Sequence, residues 1–354
     1  MSSIVNYDHE SGIPVVDFGP FRDGTRKQEV TDAVLKSFKE VGFVYLVNHG
    51  ISQETIDGII GWVRDGQEVF METKMLAPHP PIGTHHHGYS PPGLEKIIQH
   101  EYDPDKIVES RKRTPDAKEN FESGRENDEV MPNIWLPDGI LPGFKEACLD
   151  YFWTCYEVEL NIFRALALSL SVNEDYFTGY HTAADNQLRI LHYFSVPVKD
   201  VEEGLTSHIG AHSDFGSMTM LLQDHAGGLE VEDPHNPGEF KAATPIPGAL
   251  VINAGDFLMR WSNDTIRSTI HCVRAPKHMY GSDCMTQERY SIPYNQSMTI
   301  NSVPGTWSET VPKKYEPIDS TEYLMKRLAM SYMRLQVFCI LQRRKNFICC
   351  FCFY

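Results

Sequence analysis

The stretch GAHSDFGSMTML, residues 210–221, sets His212 and Asp214 one residue apart in a run that reads as a strand. Side chains two apart in a strand point to the same face. An imidazole and a carboxylate turned together toward apolar neighbours such as Met218, Met220 and Leu221 are costly unless something satisfies both. A divalent metal would do so. So would a buried hydrogen bond or an exposed sheet edge, and the pair alone leaves these three open.

RSTIHCVRAP (267–276) supplies a second imidazole, His271, in another strand-like run. Two histidines and one carboxylate on facing strands occupy one face of an octahedral metal and leave three positions open. That arrangement suits a non-haem Fe(II) site, where the open positions take a co-substrate and O2. Zinc hydrolases use similar ligands, usually on an HExxH helix, and no HExxH occurs here. Taken singly, His271 reads as a satisfied core histidine. ERYSIPYN (288–295) then places Arg289 and Ser291 two apart, a guanidinium and a hydroxyl on one face. A guanidinium turned into an apolar barrel needs an anion, and it forks onto a carboxylate. The plain alternative is an internal salt bridge to one of the 48 acidic residues. That alternative weakens once His212, Asp214, His271, Arg289 and Ser291 share one barrel.

These residues need elements to hold them. GIPVVDFGPF (12–21) and FVYLVNHGI (43–51) read as strands. Residues 25–42 carry Val30, Val34 and Phe38 at helical spacing and close on Gly42, an amphipathic helix with a glycine cap. A second helix covers 52–71 with Ser52 as N-cap. From Leu76 to Pro142 the composition predicts long loops, with the charge run DAKENFESGRENDE (116–129) as a solvated face and HHH (85–87) as part of a lid beside Gly88 and Tyr89. Adjacent histidines in extended chain cannot converge on one ion, so HHH is not a second metal site. A long apolar helix spans 141–172, the main buttress of the core. Short strand-like runs with turn signals then fill 186–295, the pattern of an antiparallel barrel or jelly roll. A last helix is expected over 321–335.

The 354 residues are enough for one large core or two ordinary ones, and 41% hydrophobic with 23% charged residues is ordinary for a globular protein. The net charge of −16 argues against a nucleic-acid or anionic-membrane partner. No secretory h-region or spanning run is visible, so a soluble, cytoplasmic protein is expected. Cys148, Cys155, Cys272 and Cys284 are scattered without CxxC spacing and fit reduced thiols. The other four, Cys339, Cys349, Cys350 and Cys352, crowd a tail that reads as an atypical, disordered extension over 333–354.

In their order, IPVVDF and GFVYLVNHGI, then GAHSDFGSMTMLLQD with GGLEV, then PGALVINAGDFLMRWSND with RSTIHCV, and finally RYSIPY resemble the isopenicillin-N-synthase-like branch of the Fe(II)/2-oxoglutarate-dependent dioxygenases. The resemblance covers roughly residues 12 to 332. It implies an α+β fold, a double-stranded β-helix of jelly-roll or cupin-like type with an N-terminal helical region and a C-terminal helix. The implied organisation is a helix-rich region over 12–180, the dioxygenase core over 183–297 and a helical closure over 298–332. The family's metal triad falls on His212, Asp214 and His271, its arginine and serine on Arg289 and Ser291, and its co-substrate tyrosine on Tyr193, for which a core aromatic is the plain alternative. Implied with these are Fe(II), 2-oxoglutarate and O2, release of succinate and CO2, oxidation of a C–H bond in a small organic substrate, and ascorbate as reductant. A monomer or weak homo-oligomer acting in secondary metabolism is expected. Phe194 and Asn295 depart from the family's usual residues, and the segment between His271 and Arg289 has a length resembling fungal members. Three rivals remain: an oxidase-like member that uses no 2-oxoglutarate, a zinc-dependent cupin-type hydrolase and a non-enzymatic binding barrel.

Overall fold

The structure is a computed structural model that describes residues 3–67, 69–81, 85–95, 114–276, 279–296 and 311–316. The helix expected over 321–335 and the cysteine-rich tail lie outside the described residues.

The first strands are β1 (Val5–Tyr7), β2 (Pro14–Asp17) and β3 (Phe43–Val47), with helix α1 (Lys27–Glu40) between the last two. Helix α1 ends where Gly42, at φ 79°, lets its amide and that of Val41 both turn back to the Ser37 carbonyl. Helix α2 (Gln53–Gln67) opens with the Ser52 hydroxyl accepting from the Thr55 amide, as its N-cap position requires. It stops four residues short of the expected end, and Met71–Lys74 forms a separate turn of helix. Strands β4 (Gly88–Ser90) and β5 (Lys118–Ser123) precede the long helix α3 (Phe144–Ser169). The β-rich half follows as β6 (Asn186–Tyr193), β7 (Ile209–His212), β8 (Met218–Gln223), β9 (Leu229–Glu232), β10 (Phe240–Ala242), β11 (Leu250–Ala254), β12 (His271–Val273) and β13 (Arg289–Gln296).

The strands form a nine-stranded sheet, ordered β1-β2-β3-β11-β8-β13-β6-β5-β4, and a four-stranded sheet, β10-β9-β12-β7. All pairings are antiparallel except β2 with β3. Alternation along each strand divides the large sheet's two faces. Met218, Met220, Leu222, Ile292 and Tyr294 join the helices in one core, with Phe152 of α3 packed edge-on to Tyr294. The intervening residues turn to the small sheet, where Tyr45, Leu191, Tyr193, Val231, Val251 and Val273 build a second core. Full burial of each such side chain stabilises the fold by about 1.5–3 kcal/mol before entropy is counted. The site lies between the two sheets.

Two expectations are corrected. Asp214 is not in the strand of His212: β7 ends at His212, and Asp214 sits in the loop that leads to β8. Met218 and Met220 accordingly face the helices, away from the triad. Within the charge run 116–129, Lys118, Glu119, Asn120, Glu122 and Ser123 are all buried on β5. A strand held between β4 and β6 has no solvated face, and its charges are satisfied by opposite charges on neighbouring elements.

Candidate active site

Antiparallel pairing of β7 with β12 sets His212 directly opposite His271, ring centroids 4.4 Å apart. The two histidines are thus neighbours in one sheet rather than on facing strands. The Nδ1 of His212 lies 2.8 Å from the Gly210 carbonyl oxygen, and that of His271 lies 3.1 Å from the Thr269 carbonyl oxygen. Carbonyl oxygens only accept, so each Nδ1 carries a proton and each Nε2 is left to face Asp214. Both Nε2 atoms lie 3.6 Å from Oδ1 of Asp214. Its other oxygen, Oδ2, accepts from the Thr219 hydroxyl at 2.5 Å and the Asn253 amide at 2.8 Å.

Burial, helped by His271, pushes the pKa of His212 down to about 4. Burial alone would raise the Asp214 carboxyl, but the two histidines and the bonds from Asn253 and Thr219 outweigh it and hold the group below its ordinary range. At neutral pH this donor set offers an unprotonated imidazole and a carboxylate, the forms that bind a divalent ion. One ligand atom from each of the three residues lies within 4.8 Å of the others, so they could hold one metal ion. Two imidazoles and one carboxylate fit Fe(II) with open positions.

Two further strands carry the opposite end. The register pairs Arg289 of β13 with Tyr193 of β6, and the guanidinium lies 4.9 Å over the tyrosine ring. Arg289 is 3% exposed. Its Nε donates to the Gly227 carbonyl at 2.8 Å, Nη1 to the Ser291 hydroxyl at 2.8 Å and Nη2 to Oε1 of Gln223 at 3.3 Å. Every one of these acceptors is neutral, and among the described residues no salt bridge reaches Arg289. The internal salt bridge considered as its plain reading is therefore not seen there. A buried, uncompensated guanidinium opening into a cavity is a seat for a carboxylate. Tyr193 is at once a core aromatic and a wall of that cavity.

The triad, Arg289, Ser291 and Tyr193 line a single cavity of about 310 Å³. His86 and His87 line it too and are buried, with rings packed edge-to-face at 5.5 Å. Sequence reasoning missed Thr219, Asn253 and His208. The first two were legible as polar residues interrupting the apolar strands MTMLLQ and LVINA, where the register pairs them. His208 stands edge-on to the Tyr193 ring at 5.5 Å, and burial together with the charge of Arg289 pushes its pKa down to about 4. No local pattern marks it.

The chain matches the 2OG-Fe(II) oxygenase superfamily over residues 185–296 and the family of the non-haem dioxygenase in morphine synthesis N-terminal region over residues 13–138. It is 32% identical to the proline hydroxylase buaE of Petromyces alliaceus over 313 residues, 87% of this chain and 95% of that protein. It is also 32% identical over 329 residues, 90% of this chain and 97% of the other, to the 2-oxoglutarate-dependent dioxygenase frbA of a Dothideomycetidae species. Among solved structures, a full-length Neurospora crassa protein in complex with alpha-KG superposes with a TM-score of 0.81 at 34% identity, over 93% of this chain and all (100%) of that one. The same Neurospora crassa protein in complex with alpha-KG and thymine superposes with a TM-score of 0.81 at 36% identity, over 94% of this chain and 100% of that one. With an uncompensated arginine and a convergent histidine–aspartate–histidine set in one cavity of a double-stranded β-helix, the chain belongs to the 2OG-Fe(II) oxygenase superfamily and is a 2-oxoglutarate-dependent dioxygenase.

Proposed function

We propose that His212, Asp214 and His271 hold the Fe(II), that Arg289 and Ser291 hold the distal carboxylate of 2-oxoglutarate against Tyr193, and that the enzyme oxidises a C–H bond of a small organic molecule in secondary metabolism. The observation that carries this reading is the pairing, in one cavity, of three convergent metal-donor atoms with a buried guanidinium whose partners are all neutral. When bound there, Fe(II) with 2-oxoglutarate and O2 supplies oxidative decarboxylation to succinate and CO2 and the oxidation of a substrate C–H bond.

The chain's own residues do the rest. The Gly210 and Thr269 carbonyls orient the two imidazoles, and Thr219 and Asn253 hold Asp214 so that Oδ1 faces both rings. Gly227, Ser291 and Gln223 fix the guanidinium plane, so the anion it binds is positioned before any substrate arrives. Leu191, Leu221 and Val273 line the cavity with apolar surface and exclude water. The proline hydroxylase name of buaE and the thymine bound to the Neurospora crassa protein support a small, compact substrate. A cytoplasmic enzyme acting as a monomer or weak homo-oligomer completes the proposal. Among the described residues no helix is long and apolar enough to cross a membrane.

The test is succinate release and O2 uptake under air with Fe(II), 2-oxoglutarate and ascorbate as reductant. Succinate is expected to depend on Fe(II) and 2-oxoglutarate together and to be absent with Zn(II). Product at full rate with no 2-oxoglutarate would move the chain to the oxidase-like minority and leave Arg289 as a substrate anchor.

A further inference from the structure

His212 and His271 each turn a single nitrogen to Asp214, the other being spent on a main-chain carbonyl, so each imidazole can take one metal position only. Asp214 is different. A carboxylate has two oxygens, and its last torsion is soft enough to present one or both to a cation. The number it presents decides how many positions of an octahedral metal stay open. With one oxygen bound, three remain, two for the keto acid and one for O2. With both bound, the keto acid fills the last two and O2 has no place.

The surroundings of Asp214 bear directly on that number. Asn253 of β11 and Thr219 of β8 are opposite each other in the antiparallel register, so their side chains leave the large sheet on the same face, about 5 Å apart. Both are buried in largely apolar strands, LVINA and MTMLLQ. Burying an amide and a hydroxyl costs stability unless each finds a partner. Both find the same atom: Oδ2 of Asp214 accepts from the Thr219 hydroxyl at 2.5 Å and from Nδ2 of Asn253 at 2.8 Å. A carboxylate oxygen has two lone pairs, and here both are taken. Oδ1 lies 3.6 Å from both Nε2 atoms, beyond hydrogen-bond range, and accepts from nothing else among the described residues. The main chain of Asp214 is held as well, its carbonyl accepting from the Asp256 amide at 2.8 Å. The side-chain torsions are the freedom that Thr219 and Asn253 remove.

We infer that Thr219 and Asn253 are positioning residues that hold Asp214 to single-oxygen ligation and so keep one metal position open for O2. This rests on the reading of His212, Asp214 and His271 as the Fe(II) ligands, and it gives the two polar residues a part in oxygen access rather than in metal affinity. Removing either donor frees a lone pair on Oδ2, which then turns to the metal as a second ligand atom.

The test counts open positions with nitric oxide, a surrogate for O2, under argon. The enzyme is loaded with Fe(II) and 2-oxoglutarate. The visible charge-transfer band of that complex reports the bound keto acid, and the electron paramagnetic resonance signal of the nitrosyl complex reports the remaining position. Wild type should give both. Thr219→Val, which keeps the shape and loses the hydroxyl, and Asn253→Leu should each keep the band and the Fe(II) affinity. Each should weaken nitric oxide binding by about 10- to 100-fold, the usual range for contacts that orient a ligand. Thr219→Ser should restore that binding, because it returns the donor without the methyl group. A merely structural role predicts a different pattern, with Fe(II) affinity and the band lost together. Either residue carries the test if the variant at the other fails to fold. Undiminished nitric oxide binding in a variant that keeps the band, Fe(II) affinity lost along with nitric oxide binding, or no rescue by Thr219→Ser would each overturn the inference. A wild-type enzyme that takes up neither Fe(II) nor 2-oxoglutarate would count instead against the oxygenase reading.

Discussion

Arg289 and Asp214 present opposite electrostatic problems, and each gives a prediction. Asp214 keeps one oxygen occupied by Thr219 and Asn253 and turns the other to the Nε2 atoms of both imidazoles, three donor atoms converging on one point. A cation belongs between them. His212→Ala, Asp214→Ala and His271→Ala should each abolish 2-oxoglutarate-dependent turnover and weaken Mn(II) binding in a calorimetric titration, with the fold retained. Any of the three that kept most of its activity would lose its place as a ligand. Arg289 has the converse need, a charge with no counter-charge among the described residues. A charge-assisted bidentate contact contributes on the order of 1.5–3 kcal/mol, so Arg289→Ala should raise the 2-oxoglutarate requirement by roughly 10- to 100-fold. Ser291→Ala, which removes one neutral partner, should do so more weakly. The measurement is the 2-oxoglutarate concentration at half-maximal succinate release, and an unchanged value in Arg289→Ala would move the anion seat elsewhere.

At the scale of elements, the loop carrying Asp214 is held by the turn that follows β11. The Asp256 amide donates to the Asp214 carbonyl at 2.8 Å, and the Gly255 amide donates to the Ser217 carbonyl at 3.0 Å. A Cβ on Gly255 would lie 2.2 Å from the Gly216 carbonyl oxygen and 3.0 Å from that of Asp214, and backbone cannot step aside as a side-chain tip can. Gly255→Ala should therefore push the 214–216 loop away and weaken Mn(II) binding at least tenfold, although Gly255 touches no ligand side chain. Unaltered affinity would show that the loop tolerates the shift. This coupling was not legible in the sequence, because it joins two segments about 40 residues apart through main-chain contact alone. What was legible follows local rules: the amphipathic α1 with its glycine, the Ser52 cap, the long apolar α3 and the alternation that turns Arg289 and Ser291 inward together. β5 failed the same rules. KENFES has the composition of a solvated loop, and only its neighbours Glu95, Lys74 and Arg189 make it a buried strand.

Over the whole molecule, a net charge of −16 would make acidification stabilising, since each proton taken up relieves self-repulsion. Its buried histidines work the other way. His87, His181 and His208 all have pKa values pushed down to about 4, chiefly by burial; for His181 the ring is packed 3.9 Å from the Phe163 ring, and its Nδ1 donates to the Phe177 carbonyl at 2.6 Å. A histidine near 6.5 in the unfolded chain and near 4 in the folded one binds its proton more readily when unfolded. Its contribution is fully present above pH 6.5, declines as pH falls below that value, and is exhausted below about 4. By pH 5 each such histidine should have cost roughly 2 kcal/mol. Among the carboxylates, buried Glu159 works against this slope: burial raises its pKa to about 8, so folding favours its protonated form across this window and it offsets about one histidine. Glu119, held down to about 2 against its burial by His192, Lys74 and Tyr89, loses its contribution only at lower pH, as the carboxyls of the unfolded chain begin to take up protons near 4. Urea denaturation of the metal-free protein should therefore show stability falling steadily from pH 6.5 to 5. His181→Phe should flatten that slope by about one proton's worth, because it removes one titrating ring while keeping an aromatic against Phe163. Stability that held level or rose across this window would mean that relief of the acidic surface outweighs the buried imidazoles.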